Sequence, residues 1–300
     1  MTKLKLNTSI LIIFFLALYS CSNDDLEPTN DLYIHIPDNN FEGKLIEQGI
    51  DTDGLINEKM LRKDAEKATY LDLNVATEFE RIDDLSGIEG FVNLKFLSSA
   101  NQNIESVDLS KNVSLDTLYL LGNSISSIDL SHNRNLIFID IQSNNLNSID
   151  GLANLDYLKD LDLSWNNFEE FSIHNESLEI LHFSHNNLVS LDTDGAINLE
   201  HIFMPSNQLE SVDFSTNSSL ETLLISGNNI ENIGLENNVK LTHLYITSNS
   251  LTYLDVSNNM MLEDLRVFDN PELSCIKIGT VQNIPMVSKS DSHELNSDCD

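Results

Sequence analysis

The chain has 300 residues and a formal net charge of −32, from 48 acidic and 16 basic side chains. A surface this acidic repels phosphate backbones and anionic lipid headgroups, which argues against nucleic acid as a partner and against direct adsorption to a membrane. With 41% hydrophobic residues, the chain has enough apolar material for one elongated domain with a core.

Residues 1–20 have the pattern of an export signal. Lys3 and Lys5 precede an apolar run over residues 10–18, which is too short to cross about 30 Å of bilayer hydrocarbon as a helix. The run ends in Leu18-Tyr19-Ser20-Cys21, which resembles a bacterial lipobox apart from its tyrosine. The resemblance implies a lipoprotein signal peptide and a lipid on Cys21. The alternative is a plain secretory signal with an incidental cysteine.

Residues 21–32 are polar and acidic, and we expect them to form a flexible tether. Ser22-Asn23-Asp24-Asp25 resembles the acidic tag that sends lipoproteins of some Gram-negative bacteria to the outer face of the outer membrane. The resemblance implies a protein that faces the cell exterior and touches the membrane only through its lipid anchor.

Residues 33–67 are predicted to form a helical N-terminal cap. Asp38 or Asn39 can cap a helix that runs to about Gln48, and Gly49 would end it. A second helix is predicted over residues 57–67.

The segment between these two helices invites comparison with a calcium-binding loop. Asp51-Thr52-Asp53-Gly54 matches part of an EF-hand loop. If Gly54 is the invariant glycine of that loop, Met60 stands where the bidentate glutamate is required. We therefore predict a simple turn here and no metal.

A leucine motif repeats through residues 68–278. Leu115, Leu118, Leu120, Asn123 and Ile125 fit L-x-x-L-x-L-x-x-N-x-L, and copies of this frame recur every 20 to 22 residues. A period this short has no room for a strand, two turns and a full helix. Each coil is therefore predicted to hold a short strand with alternating inward leucines and an extended return. Stacked coils bury one another's apolar faces as a parallel solenoid.

One asparagine per coil follows the predicted strand, from Asn123 to Asn270, with Gln102 in the first full coil. An amide side chain both donates and accepts hydrogen bonds, so it can satisfy backbone groups of its own coil and of a neighbouring coil. We predict a buried structural ladder without a chemical role.

By this motif and period, residues 68–278 resemble leucine-rich repeats, and among them the short-repeat, internalin-like surface proteins of bacteria. Residues 33–67 resemble the cap of the same proteins. The resemblance implies a leucine-rich-repeat solenoid of the α/β class with a curved parallel sheet on its concave face. It also implies recognition of proteins or glycans on that face, and no enzyme activity.

Residues 279–300 hold no further copy of the motif and are predicted to form a C-terminal cap. With Cys21 assigned to lipid, Cys275 and Cys299 remain as a pair. In an exported protein we expect them to form a disulfide that ties the tail over the open apolar end, as the resemblance also implies. Free thiols are the alternative.

The outward residues of the predicted strands form columns on the concave face. Aromatic, histidine and arginine side chains are unusual on a solvated sheet and common at binding hot spots. Trp165, the one tryptophan, follows the strand of its coil. The residues predicted to bind a partner are Tyr119, Phe138, Asp140, Asp162, His182, His201, Phe203, His243, Tyr245 and Arg266. The alternative is that they only shield the sheet.

Asp140, Asp162 and His182 occupy one column on consecutive strands, which lie about 4.8 Å apart. Asp160 and His201 lie one column over. Two carboxylates and an imidazole at this spacing could hold a divalent metal or act as an acid–base pair. Because an exposed, flat sheet lacks the desolvated pocket that such chemistry needs, we predict no catalysis, no metal and no cofactor.

The sequence therefore predicts a monomeric surface protein, for binding or adhesion, whose concave face recognises a protein partner. A glycan-binding module, whose rings stack on sugars, is the first alternative. A metal-dependent hydrolase is the second.

Overall fold

The computed structural model describes residues 32–74 and 77–299. The predicted signal peptide, Cys21 and the tether as far as residue 31 lie outside the described residues. Within the described part of the chain, no helix has the length and apolar character needed to cross a membrane.

The N-terminal cap combines a pair of strands with one full helix. β1 (Tyr33–His35) pairs antiparallel with β2 (Lys59–Leu61), and α1 (Asn39–Glu47) lies between them in the sequence. The helix predicted over residues 57–67 is wrong in most of its length, since only α2 (Arg62–Ala65) is helical. The cap is therefore not the purely helical unit that the sequence predicts.

The carboxylate of Glu42 explains why the second helix does not form. Glu42 is fully buried in α1, and its two oxygens accept from the backbone N–H groups of residues 57, 58 and 59 at 2.9 to 3.1 Å. Glu58 has a positive φ of 62°, which no helix accommodates. The chain then continues as β2 instead of a helix.

The first helix begins and ends as predicted. Asp38 caps it, because its Oδ1 accepts from the backbone N–H of Asn40 at 2.8 Å and of Phe41 at 3.0 Å. Gly49 follows the helix in the left-handed conformation, with φ of 69°. Gly54 is also left-handed, and its turn leads into β2.

The rest of the described chain consists of short strands joined by turns, with three single-turn 3-10 helices at Glu78–Glu80, Ile88–Gly90 and Leu152–Asn154. The strands are, in chain order, β3 (Tyr70–Asp72), β4 (Phe96–Ser98), β5 (Thr117–Tyr119), β6 (Ser127–Asp129), β7 (Phe138–Asp140), β8 (Ser148–Asp150), β9 (Asp160–Asp162), β10 (Glu170–Ser172), β11 (Ile180–His182), β12 (Ser190–Asp192), β13 (His201–Phe203), β14 (Thr222–Leu224), β15 (His243–Tyr245), β16 (Leu254–Asp255), β17 (Asp264–Arg266), β18 (Cys275–Lys277), β19 (Met286–Ser288) and β20 (Glu294–Asn296).

The strands form two walls of a parallel solenoid. The long sheet has 11 strands, in the order β3-β4-β5-β7-β9-β11-β13-β14-β15-β17-β19. The opposite wall holds smaller parallel groups, β6-β8, β10-β12 and β16-β18-β20. The core lies between the walls, where the middle residue of each long-sheet strand points inward, as the full burial of Leu118, Leu161 and Leu223 shows. The predicted solenoid is confirmed.

The predicted asparagine ladder is buried and links successive coils. Asn207, for example, donates through Nδ2 to the carbonyl oxygens of Phe183 at 2.9 Å and Met204 at 3.2 Å. Its Oδ1 accepts from the backbone N–H of Leu188 in the preceding coil at 3.1 Å. Gln102 makes the same kind of link, with its Oε1 accepting from the backbone of Ile82 at 2.8 Å.

A second ladder, which the sequence analysis missed, lines the turn that enters each long-sheet strand. Its amides donate to carbonyl oxygens of the preceding coil, as Asn238 does to Phe214 and Asn217 at 2.9 Å each. The signal is the spacing Asn-x-x-Leu at the start of most coils. The members of this ladder are Asn112, Asn133, Asn175, Asn217, Asn238 and Asn259, with Gln282 in the last coil.

The tail adds one more turn to the solenoid although it lacks the motif. β19 pairs with β17 in the long sheet, and β20 pairs with β18 on the opposite wall. The predicted disulfide joins Cys275 to Cys299, with their Cα atoms 5.9 Å apart. The disulfide thus ties the last coil to the coil before it.

Candidate functional site

The solvent-facing side of the long sheet, here called the sheet face, carries the predicted binding residues. Strand pairing aligns one column as Phe96, Thr117, Phe138, Asp160, Ile180, His201, Thr222, His243 and Asp264. It aligns the other as Ser98, Tyr119, Asp140, Asp162, His182, Phe203, Leu224, Tyr245 and Arg266. The predicted columns are confirmed, while binding at them stays a prediction.

Four aromatic rings occupy the first strands of the sheet face, and we call them the aromatic row. The rings of Tyr70 and Phe96 stack at 4.4 Å between centroids, Phe96 and Tyr119 lie 5.7 Å apart, and Tyr119 and Phe138 lie 4.9 Å apart. Tyr70 and Phe96 were not in the predicted binding set. Tyr70 could have been found, because Tyr70-Leu71-Asp72-Leu73 has the inward leucines of the motif one coil earlier.

A shallow groove of about 500 Å³ lies farther along the same face. His182 stacks on Phe203 at 4.7 Å between centroids, and His201 lies 6.4 Å from the same phenylalanine ring. The groove thus brings together five of the predicted binding residues. Its lining consists of Ile180, His182, His201, Phe203, Thr222, Leu224, His243 and Tyr245.

Tyr245, Asp264 and Arg266 form a closed polar cluster at the end of this groove. Asp264 is buried, and its Oδ2 accepts from the Tyr245 hydroxyl at 2.7 Å and from Arg266 Nη2 at 2.9 Å. The guanidinium also lies over the Tyr245 ring, 4.1 Å from its centroid. Despite burial, the hydrogen bonds from Arg266 and Tyr245 hold the pKa of Asp264 below its usual value.

Three carboxylates separate the aromatic row from the groove, and we call Asp140, Asp160 and Asp162 the acidic centre. Burial raises the pKa of both Asp140 and Asp160, with the neighbouring carboxylates adding to the effect. The histidine that faces this centre is His182, whose Nε2 lies 3.8 Å from Asp160 Oδ1. The polar approach of His182 is therefore to the carboxylate one column over, although Asp162 is its neighbour in the predicted column.

A column of left-handed residues borders the sheet face, and the sequence analysis missed it. One residue with positive φ precedes each ladder amide, which lets the chain turn sharply after the strand. Trp165 and His185 are the bulky exceptions, and their exposed rings stack at 3.8 Å. The column consists of Asn101, Gly122, Ser143, Trp165, His185, Ser206, Gly227, Ser248 and Asp269.

Among residues 32–74 and 77–299, no three histidine, cysteine, aspartate or glutamate side chains form a group that could hold a metal ion. In the cap, Asp53 accepts from the backbone N–H of Leu55 at 2.8 Å and from Asn57 Nδ2 at 3.1 Å. The carboxylate of Asp53 thus serves the turn itself.

Comparison with known proteins agrees with the geometry. The family described as "Leucine Rich repeat" matches residues 216–237. Similar solved structures include an internalin, InlF, from Listeria monocytogenes, with a TM-score of 0.57 and 19% identity over 87% of this chain and 91% of that one. The leucine-rich repeat domain of APL1B has a TM-score of 0.65 and 19% identity over 78% of this chain and 72% of that one. A comparison with curated proteins gave no match.

A second internalin from the same species, InlC2, has a TM-score of 0.54 and 18% identity over 85% of this chain and 94% of that one. At these identities the likeness establishes the fold alone. The fold is a leucine-rich-repeat solenoid, similar in structure to internalins.

Proposed function

We propose that this protein is a binding module that recognises a protein partner through the sheet face. The observation that carries the proposal is the pair of ring clusters, the aromatic row and the groove, on one continuous parallel sheet. Aromatic side chains supply large contact areas at low entropic cost, and clusters of them mark binding hot spots. Strands with fully buried central residues hold these rings in fixed positions.

The test truncates one ring from each cluster. Tyr119→Ala with Phe203→Ala removes rings that face solvent, so the solenoid should keep its fold. A partner captured by the wild-type ectodomain should be lost or bind about 30-fold more weakly, which corresponds to roughly 2 kcal/mol. Equal affinity for wild type and double variant would refute the sheet face as the binding site.

The matched control is Tyr157→Ala. Tyr157 is a ring of the same size, 59% exposed, in the turn before β9 and away from the sheet face. Tyr245 is unsuited to the test because its hydroxyl donates a hydrogen bond to Asp264 and the Arg266 guanidinium packs over its ring. Truncating it would confuse a loss of binding with a loss of structure.

Glycan recognition is the second candidate, and the stacked pair Trp165 and His185 supports it. Trp165 is 55% exposed at the border of the sheet face, where a sugar ring could stack on the indole. On a glycan array, wild-type protein would then bind a defined set of sugars and Trp165→Ala would not. A partner whose capture depends on Tyr119 and Phe203 but not on Trp165 favours protein recognition.

We further propose that the module is held at the cell exterior by a lipid on Cys21. The lipobox-like segment before Cys21 supports this proposal, and the acidic residues after it support an outward-facing location. In the native host, Cys21→Ala should abolish lipid labelling and move the protein out of the membrane fraction. A variant that still incorporates labelled palmitate would overturn it.

A further inference from the structure

The acidic centre holds three carboxylates side by side, one of them buried and two partly buried. Asp140 and Asp162 are register neighbours on β7 and β9, and Asp160 lies on β9 beside them. Asp140 is only 7% exposed, and like charges on adjacent strands repel. The ion pairs among the described residues include none between these carboxylates and a lysine or arginine.

Two of the three carboxylates accept hydrogen bonds, Asp162 from the backbone N–H of Ser164 at 2.8 Å and Asp140 from Gln142. Among the described residues, the Asp140 carboxylate accepts from Gln142 alone, through the backbone N–H at 3.1 Å and Nε2 at 3.3 Å. Asp160 Oδ1 is buried and makes no hydrogen bond within the described residues, and His182 Nε2 lies 3.8 Å from it. A buried carboxylate oxygen without a donor is unfavourable until a donor arrives.

The cluster of Tyr245, Asp264 and Arg266 shows which partners satisfy a carboxylate on the sheet face. Asp264 occupies the same column as Asp160, and Arg266 meets it with Nη2 at 2.9 Å while its Cζ lies over the ring of Tyr245, 4.1 Å from the centroid. A planar guanidinium suits this place because it donates to the carboxylate and stacks on an aromatic ring at once. Burial still raises the pKa of the Asp264 carboxyl, but the hydrogen bonds from Arg266 and Tyr245 outweigh it and lower the pKa overall.

The acidic centre has the carboxylates and the rings of that arrangement but lacks the guanidinium. Phe138 precedes Asp160 in one column, and Tyr119 precedes Asp140 in the other. On the far side, Phe203 and His182 form the wall of the groove. A cation at the centre would thus have aromatic walls on both sides, and apolar neighbours of that cation would reach the two ring clusters.

We propose that the acidic centre receives an arginine side chain of the protein partner, with apolar residues on either side of that arginine packing on the aromatic row and in the groove. This inference rests on the proposed function, because it assigns the chemistry of the partner at the same face. The occupant is therefore a cationic segment with flanking apolar side chains. The arginine supplies a positive charge to the three carboxylates and a donor to Asp160 Oδ1, which has no hydrogen-bond partner among the described residues.

The test uses two tripeptides as probes, acetyl-Phe-Arg-Phe-amide and acetyl-Phe-Cit-Phe-amide, where citrulline has the shape of arginine without its charge. Trp165, which follows the strand of Asp160 and Asp162, is the only tryptophan and reports binding by its fluorescence. The arginine peptide should bind about tenfold more tightly than the citrulline peptide, as expected for charged hydrogen bonds. In Asp160→Asn with Asp162→Asn, this difference should disappear.

Asp156→Asn is the control variant, because Asp156 is an exposed aspartate in the turn before β9. It should keep the full preference for arginine. The preference should also fall as the pH is lowered, and it should do so at a higher pH than an ordinary aspartate would require, since burial raises the pKa of Asp140 and Asp160. Protonation removes the charge that arginine recognises.

The outcomes separate this inference from the proposed function. If both peptides bind equally well and this binding is lost in Tyr119→Ala with Phe203→Ala, the acidic centre does not bind arginine, but the sheet face remains a binding site. Equal binding that survives this double variant overturns both. Arginine binding at the acidic centre is also overturned if neither peptide gives a saturable fluorescence change. The same holds if the Asp160 and Asp162 double variant keeps the preference for the arginine peptide.

Discussion

Single amide side chains connect the coils of this solenoid. Each ladder asparagine is buried and serves backbone groups of two coils, because an amide donates and accepts at the same time. This role could be predicted from the sequence, since one amide recurs at a fixed place in an apolar repeat. The second ladder follows the same logic but is interrupted by Leu155 and Ala196, which obscures its period.

The first prediction concerns Asn207. Asn207→Leu leaves the backbone N–H of Leu188 and the carbonyl oxygens of Phe183 and Met204 without their partners. The free energy of unfolding should fall by roughly 3 kcal/mol, the range for several buried groups left unpaired. Urea denaturation measures it. Gln208→Leu, at the exposed next position, is the control, and an equal loss in both variants would contradict a buried ladder.

The second prediction concerns Arg266 and pH. Arg266→Met leaves the buried Asp264 with only the Tyr245 hydroxyl, so the variant should have a lower Tm at neutral pH. In the wild type the lowered pKa of Asp264 stabilises the fold above the unfolded pKa, and this stabilisation is lost as the pH falls through the folded pKa. The two proteins should therefore converge in Tm in acid. A constant difference across pH would indicate lost packing instead.

The left-handed column shows where residue-level reasoning from sequence stops. Only Gly122 and Gly227 carry an obvious signal, because glycine adopts positive φ readily. Ser143, Trp165 and Ser206 adopt the same backbone without any hint in their own chemistry. Their conformation is imposed by the stacking of coils, which the identity of one residue does not reveal.

At the scale of the element, strands were easier to predict than the cap. The leucine motif repeats at nearly constant spacing, so each copy of the motif supports the strand position predicted from the other copies. The segment over residues 57–67 occurs once and is rich in residues that suit a helix, so local propensity favours a helix. The tertiary contact from the Glu42 carboxylate, 15 to 17 residues earlier, decides the outcome and is invisible to local patterns.

The last coil is the element that depends most on a covalent link. β19 and β20 lack the leucine motif, and Val287 and Leu295 at their centres are only partly buried. The disulfide closes a loop with a sequence separation of 24 residues, for which chain entropy gives roughly 3 kcal/mol. The tail therefore forms a solenoid turn with a weaker core than the repeats.

The third prediction follows from this weakness. In Cys275→Ser with Cys299→Ser, amide hydrogen exchange should become faster at Val287 and Leu295, because the last coil opens locally. The amides of β13 and β14 serve as the internal control and should be unchanged. If exchange rises equally in β13 and β19, the disulfide stabilises the whole solenoid and not its last coil.

At the scale of the whole molecule, the period of the sequence determines which side chains meet on the sheet face. A parallel solenoid places equivalent residues of successive coils side by side, so both columns could be predicted. The columns also place Asp140, Asp160 and Asp162 together, whereas the ring contacts of the aromatic row and the groove depend on side-chain packing across columns. His182 illustrates this, since it turns toward Asp160 and stacks on Phe203.

The net charge leads to the fourth prediction, on salt and stability. With 48 acidic and 16 basic side chains, most carboxylates have no basic partner, and folding brings them closer together. Salt should therefore raise the Tm, because screening at physiological ionic strength shortens the range of repulsion to about 8 Å. Surface ion pairs contribute little, so their screening should not cancel this gain.

The measurement is the Tm in sodium chloride from low to physiological ionic strength. A variant with a smaller negative charge provides the matched comparison. Glu169→Gln with Glu210→Gln and Glu231→Gln removes three exposed carboxylates that lie outside the sheet face. This variant should start from a higher Tm at low salt and gain less from added salt. A Tm that falls with salt in the wild type would mean that attractive pairs, and not mutual repulsion, dominate the electrostatics of the folded solenoid.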